Sequence, residues 1–80
     1  MRLPRDMDAA TLVKALARIG YVVTRQTGSH IRLTANQAQQ HHVTVPNHSP
    51  IKVGTLHSIL AEIANHRCMS RDELLRSLFQ

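Results

Sequence analysis

Aromatic side chains are nearly absent: the 80 residues hold no Trp, one Tyr and one Phe. The core must therefore be aliphatic, and a surface that stacks bases on aromatic rings is not expected. A single cysteine, Cys68, leaves no internal disulfide and fits a reducing compartment. No apolar run approaches the ~20 residues of a membrane span, and the opening MRLPRDMD lacks the apolar stretch of a signal peptide. A cytoplasmic chain with no membrane contact is expected.

Acid is scarce too, and unevenly so. From Tyr21 through Ala61 there is no Asp or Glu. A metal-dependent nuclease gathers carboxylates around its ion, and that stretch has none to give. A Ser-His-Asp nucleophile would lack its acid for the same reason. His41, His42 and His48 raise zinc as a question, but neighbouring residues on a strand point to opposite faces and no thiol lies near in sequence. No metal and no cofactor are expected.

What the same stretch does hold is Arg25, Arg32, Lys52 and five of the six His. The whole chain carries a formal charge of +5. A basic domain of this kind suits a polyanion or an acidic protein. An apolar fraction of 42% is that of a globular fold. The length indicates one domain, residues 1–80, which buries on the order of 60% of its unfolded surface.

Six elements can be read in order. Asp8 is placed to cap a first helix, with Met7 and Leu12 as a hydrophobic staple. Leu12, Val13, Leu16 and Ile19 form its apolar stripe, and Gly20 suits the left-handed position that ends it. Tyr21–Gln26 reads as a strand, Thr27–Ser29 as a turn in which Gly28 supplies backbone angles other residues avoid, and His30–Thr34 as the second strand of a hairpin. Alternation puts Ile31 and Leu33 on the core side and His30, Arg32 and Thr34 on the other. Ala35–Gln40 is a polar connection. His41–Pro46 is a third strand with Val43 and Val45 inward and His42 and Thr44 outward. Thr55 is the expected cap of a second helix, whose stripe is Leu56, Ile59, Leu60 and Ile63. Ser70 with Glu73 makes a capping box, Met69 with Leu74 a second staple, and Leu74, Leu75, Leu78 and Phe79 the apolar side of a last helix. The order α-β-β-β-α-α implies an α+β two-layer sandwich, with a three-stranded antiparallel sheet covered on one face. That is the arrangement of a double-stranded-RNA-binding domain.

The chemistry left to such a surface is that of imidazole, which can take and return a proton near neutrality. RNA carries its own nucleophile, the 2′-hydroxyl. A His that removes its proton, beside guanidinium groups that hold the phosphate, suffices for cleavage. His30 with Arg25 or Arg32 fits. A surface His is more often inert, so from composition alone catalysis is the minority reading, and a non-catalytic RNA-binding module and a partner-binding protein stay open. Pro46-Asn47-His48 and Lys52-Val53-Gly54-Thr55 form a second region of interest, where a basic loop meets a helix N-terminus that favours anions. A capped helix after a loop accounts for it as well.

These pieces together resemble the HicA-type, or YcfA-like, mRNA interferase toxins. The resemblance is carried by Leu16-Ala17-Arg18-Ile19-Gly20-Tyr21, by Arg25-Gln26-Thr27-Gly28-Ser29-His30, by Val43-Thr44-Val45-Pro46 with His48, by Gly54-Thr55-Leu56 with Ile59-Leu60, and by Met69-Ser70-Arg71-Asp72-Glu73-Leu74-Leu75. It implies a double-stranded-RNA-binding-like fold, cleavage of mRNA as a type II toxin, inhibition by a HicB-type antitoxin, and room for a higher-order toxin–antitoxin complex. It implies catalysis by the His of the Gly-Ser-His motif, here His30. Arg25, Gly28, Ser29, Arg32, His48 and Lys52 are then the expected RNA-binding set. The helical tail after Ala64 would serve the core, a dimer or the antitoxin contact.

Overall fold

The structure, a computed structural model, describes residues 5–37 and 39–80; the first four residues and position 38 of the expected Ala35–Gln40 connection lie outside them. Six elements follow in chain order: α1 (Ala9–Ala17), β1 (Val22–Gln26), β2 (His30–Ala35), β3 (His41–Pro46), α2 (Val53–His66) and α3 (Arg71–Phe79). This is the expected α-β-β-β-α-α order. The sheet is antiparallel with β2 in the middle.

Helix α1 starts where its capping chemistry places it. The Asp8 carboxylate accepts from the Thr11 backbone N–H at 2.8 Å, and Met7 and Leu12 are both buried. Its end is a Schellman closure: Tyr21 N–H donates to Leu16 O and Gly20 N–H to Ala17 O, with Gly20 at φ +98°. Helix α3 opens with the full capping box, Ser70 Oγ accepting from Glu73 N–H and the Glu73 carboxylate from Ser70 N–H.

Helix α2 departs from expectation. It begins at Val53, with Lys52 in the cap position and no side-chain cap; Thr55 already lies inside the first turn. The chain is steered into the helix by the loop instead. Ile51 is buried and its N–H donates to Met7 O at 2.8 Å, which fixes the backbone just before Lys52.

The helices cover one face of the sheet. Helix α1 packs on β1 and β3, α2 on β3, and α3 on α1 and α2. Leu12, Leu16, Tyr21, Leu33, Val45, Leu56, Leu60, Ile63, Leu74 and Leu75 are all fully enclosed there. The tail after Ala64 thus serves the core, because Leu74, Leu75 and Leu78 close it from the side. Arg18, off the apolar stripe of α1, reaches across to donate to Leu78 O at 2.8 Å and to Gln80 O, satisfying carbonyls at the end of α3. Among the described residues no helix is long and apolar enough to cross a membrane. The other face of the sheet is bare, and it carries the hairpin.

Candidate nucleic-acid interface

The β1–β2 hairpin closes with Thr27 N–H donating to His30 O at 2.9 Å. Gly28 is not in the left-handed region, and a Cβ built on it would meet nothing within 4 Å. The turn therefore does not need glycine for its backbone angles, contrary to the sequence expectation. What glycine leaves here is open space over the backbone, next to Ser29 and His30. The turn is also buttressed from β3. Asn47 N–H donates to Ser29 O at 2.9 Å and its side-chain amide approaches Gly28 O at 3.4 Å. Asn47, named in the sequence as part of the second region of interest, thus ties that region to the hairpin turn, a contact the sequence does not signal.

His30 is exposed and sits opposite Pro46 in the β2–β3 register. Its Nδ1 lies 3.0 Å from Ser29 Oγ. When that nitrogen donates to the serine oxygen, Nε2 is the free acceptor. Two residues on, Arg32 stands opposite Arg25 on β1 and Thr44 on β3. The two arginines are cross-strand partners, both exposed, and no carboxylate among the described residues pairs with either. Like charges in that position oppose folding.

Further along the same face runs a chain of hydroxyls. Thr24 Oγ1 and Thr34 Oγ1 are 2.9 Å apart, and Thr34 Oγ1 lies 2.8 Å from His42 Nδ1. Thr34, expected on the open face, is there but only 4% exposed, because Thr24 and His42 lie over it. A register shift between Val23 and Arg25 brings Thr24 to this side.

His48 and Lys52 belong to the loop between β3 and α2. Both are exposed. His48 accepts at its carbonyl from Ala9 N–H at 3.1 Å, so the loop is tied to the start of α1, while its neighbour Asn47 holds the Gly28–Ser29 turn. His48 is thereby kept at the His30 end of the sheet. Lys52 stands at the head of α2, and no hydrogen bond or ion pair among the described residues joins it to the hairpin.

On the helix side of the sheet, His41 is the counterpart of His42. Tyr21 Oη lies 2.7 Å from its Nδ1, the Glu62 carboxylate 3.6 Å from its Nε2, and the His66 ring stacks on it with centroids 3.9 Å apart. Burial, and then the neighbouring His66, lower the His41 pKa from its ordinary value. Burial raises that of the Tyr21 hydroxyl. Nothing in the sequence signals this cluster, whose members come from three separate segments: the residue before β1, the start of β3 and the last turns of α2. Among the described residues no group of three or more His, Cys, Asp or Glu side chains is placed to hold a metal ion.

The family model for the HicA toxin of bacterial toxin–antitoxin systems matches residues 9–64, from the start of α1 through nearly all of α2. No curated protein and no solved structure gives a match.

Proposed function

This chain belongs to the HicA toxin family, and on that premise we propose that it is a metal-independent endoribonuclease that arrests growth by cutting mRNA. One observation carries the reading. His30 stands exposed at the head of β2, beside Arg25 and Arg32, on a sheet face where no carboxylate among the described residues pairs with either arginine.

In this reading the scissile phosphate lies over the Gly28–Ser29 turn, where the missing Cβ lets it approach the backbone. His30 Nε2 takes the proton of the 2′-hydroxyl, and the 2′-oxygen attacks phosphorus. The bond from phosphorus to the 5′-oxygen breaks, leaving a 2′,3′-cyclic phosphate and a 5′-hydroxyl. Arg25 and Arg32 stabilise the charge that builds on the phosphate oxygens. The leaving 5′-oxygen needs a proton from a second group. His42 is too far to give it, since four residues along β2 span about 13 Å. His48, held at the His30 end by the Asn47 tether, is the group assigned to that role. Lys52 and the head of α2 bind a more distant phosphate.

Residues 1–80 act as one toxin domain, with α3 completing its core. A HicB-type antitoxin neutralises the toxin by covering the open face, and several such pairs assemble in a larger complex. The site of action is the cytoplasm.

The test is induction of the chain in cells beside its His30→Ala variant, followed by incubation of both purified proteins with a labelled transcript in EDTA. The native chain should arrest growth and cut the transcript. His30→Ala should do neither, while melting at the same temperature as the native chain. Gly28→Ala should also fold normally, because its Cβ has room, and should lose most of the cutting. Equal toxicity of a folded His30→Ala chain would refute the assignment. RNA binding by the native chain without any cutting would favour the non-catalytic RNA-binding module.

A further inference from the structure

We propose that the open face of the sheet is a track for single-stranded RNA lying along β2, in which His42, held by the Thr24–Thr34 hydroxyl chain, forms a phosphate subsite two steps away from His30. The inference rests on the reading of the chain as an RNA-directed toxin, and adds to it a site and the line that the strand follows.

Position along the sheet comes first. His30, Arg32 and Thr34 are successive outward residues of β2, and Thr34 faces His42 across the β2–β3 ladder. Outward residues of a strand repeat every ~6.6 Å, which is close to the reach of one extended nucleotide. The imidazole of His30, the Arg25–Arg32 pair and the imidazole of His42 thus form three stations in a row at nucleotide spacing. An extended single strand can visit all three. Cleavage by the 2′-hydroxyl also needs that oxygen in line with the leaving 5′-oxygen, a geometry an unpaired nucleotide reaches and an A-form duplex does not offer.

The hydrogen bonds then say what the third station presents. Thr24 Oγ1 is 2.9 Å from Thr34 Oγ1 and 3.5 Å from Arg32 O, and Thr34 Oγ1 is 2.8 Å from His42 Nδ1. With Nδ1 held by the threonine, Nε2 is the ring nitrogen left for a ligand. It donates to a phosphate oxygen when Thr34 gives its proton to Nδ1, and equally when both ring nitrogens are protonated. Thr34 is 4% exposed, so this chain is shielded from competing water. Glu62, which shares a groove with His42 at the β3 edge, directs its carboxylate to His41 Nε2 at 3.6 Å.

Charge supplies the remaining support. The Arg25–Arg32 pair faces itself without a counterion among the described residues, and no acid lies between Tyr21 and Ala61. An anion laid between the first and third stations neutralises that pair.

The test uses fluorescein-labelled 2′-O-methyl oligoribonucleotides, which lack the nucleophilic hydroxyl, so that binding is read whether or not the chain cuts RNA. Anisotropy titrations compare a dinucleotide, a tetranucleotide and an octanucleotide, each single-stranded, and an octanucleotide duplex. The native chain should bind the tetranucleotide much more tightly than the dinucleotide, and the single strand more tightly than the duplex. His42→Ala should weaken the two longer probes by about tenfold or more, the loss of one hydrogen bond to a charged group, and leave the dinucleotide unchanged. Thr34→Val, which keeps the imidazole but frees it to turn, should lose part of the same increment. An equal effect of His42→Ala on all lengths, or none on any, overturns the subsite. Preference for the duplex overturns the track. If His42→Ala and Arg32→Ala weaken only the complex with the antitoxin and not the oligonucleotides, the face is a protein contact and the proposal falls. Length-dependent binding by a chain that never cuts RNA would uphold the track while removing the ribonuclease reading beneath it.

Discussion

His41 and His42 are adjacent in sequence and opposite in circumstance. His42 looks outward from a threonine relay, whereas His41 is turned inward between Tyr21, Glu62 and His66. Burial and the nearby His66 lower the His41 pKa; Glu62 pulls the other way and does not win, and His42 adds a smaller push in the same direction as His66. The sign of its effect on stability follows from linkage. Above its ordinary value of 6.5 the ring is neutral in the folded and the unfolded chain alike. As pH falls through that value the unfolded chain takes up a proton that the folded chain resists, so stability is lost on acidification. Urea unfolding should therefore show a lower midpoint at about pH 5.5 than at about pH 7.5 for the native chain. His41→Gln, which keeps a polar partner for Tyr21 but does not titrate, should show a smaller drop. This pair also marks how far the residues could be read from sequence. Alternation alone was enough to set His41 and His42 on opposite faces. The partners that define each ring were not legible, because they depend on cross-strand register and on a helix some twenty residues downstream.

At the scale of the element, the ends of α1 and α2 are the same device built from different residues. Gly20 closes α1 in the left-handed region; Cys68, at φ +54°, closes α2. The bonds correspond one to one: Tyr21 N–H to Leu16 O and Gly20 N–H to Ala17 O in the first, Met69 N–H to Ala64 O and Cys68 N–H to Asn65 O in the second. An L-residue with a Cβ is strained there by roughly 1–2 kcal/mol, partly offset by the greater freedom glycine has when unfolded. Cys68→Gly should therefore raise stability by about 0.5–1 kcal/mol, read as a higher urea midpoint. Gly20→Ala should lower it by about 1–2 kcal/mol, and its new Cβ would fall 2.7 Å from the Gln37 amide nitrogen, which must move. The helix ends show why some boundaries were readable and others not. Asp8, Gly20 and Ser70 announce their roles chemically, and the structure uses each as its type suggests. Thr55 announced a cap that α2 does not use, because a backbone bond from Ile51 to Met7, invisible in sequence, starts the helix three residues earlier. Cys68 went unnoticed as a terminator since its residue type does not favour that conformation.

Across the whole molecule, the two faces of the sheet are in tension. The helix side is saturated with aliphatic burial, and α3, which lies beyond the residues matched to the family, contributes Leu74, Leu75 and Leu78 to it. The open side gathers cation against cation. In a chain selected only to fold, the Arg25–Arg32 register would carry an opposite-charge or β-branched pair, and the gain would be within about 1 kcal/mol. Its retention is understandable if an anion completes the face. Arg25→Thr tests this in a way that neither stability nor binding can alone. Threonine favours the strand and removes the repulsion, so the variant should unfold at a slightly higher urea concentration than the native chain. The same change should weaken RNA binding and flatten its dependence on salt, because one fewer phosphate is neutralised. Added salt should act on the native chain in both directions as well, raising the unfolding midpoint by screening the pair while lowering RNA affinity. A variant that loses stability together with binding would mean that Arg25 holds the strand in place. The open face would then owe its charge to folding and not to a ligand.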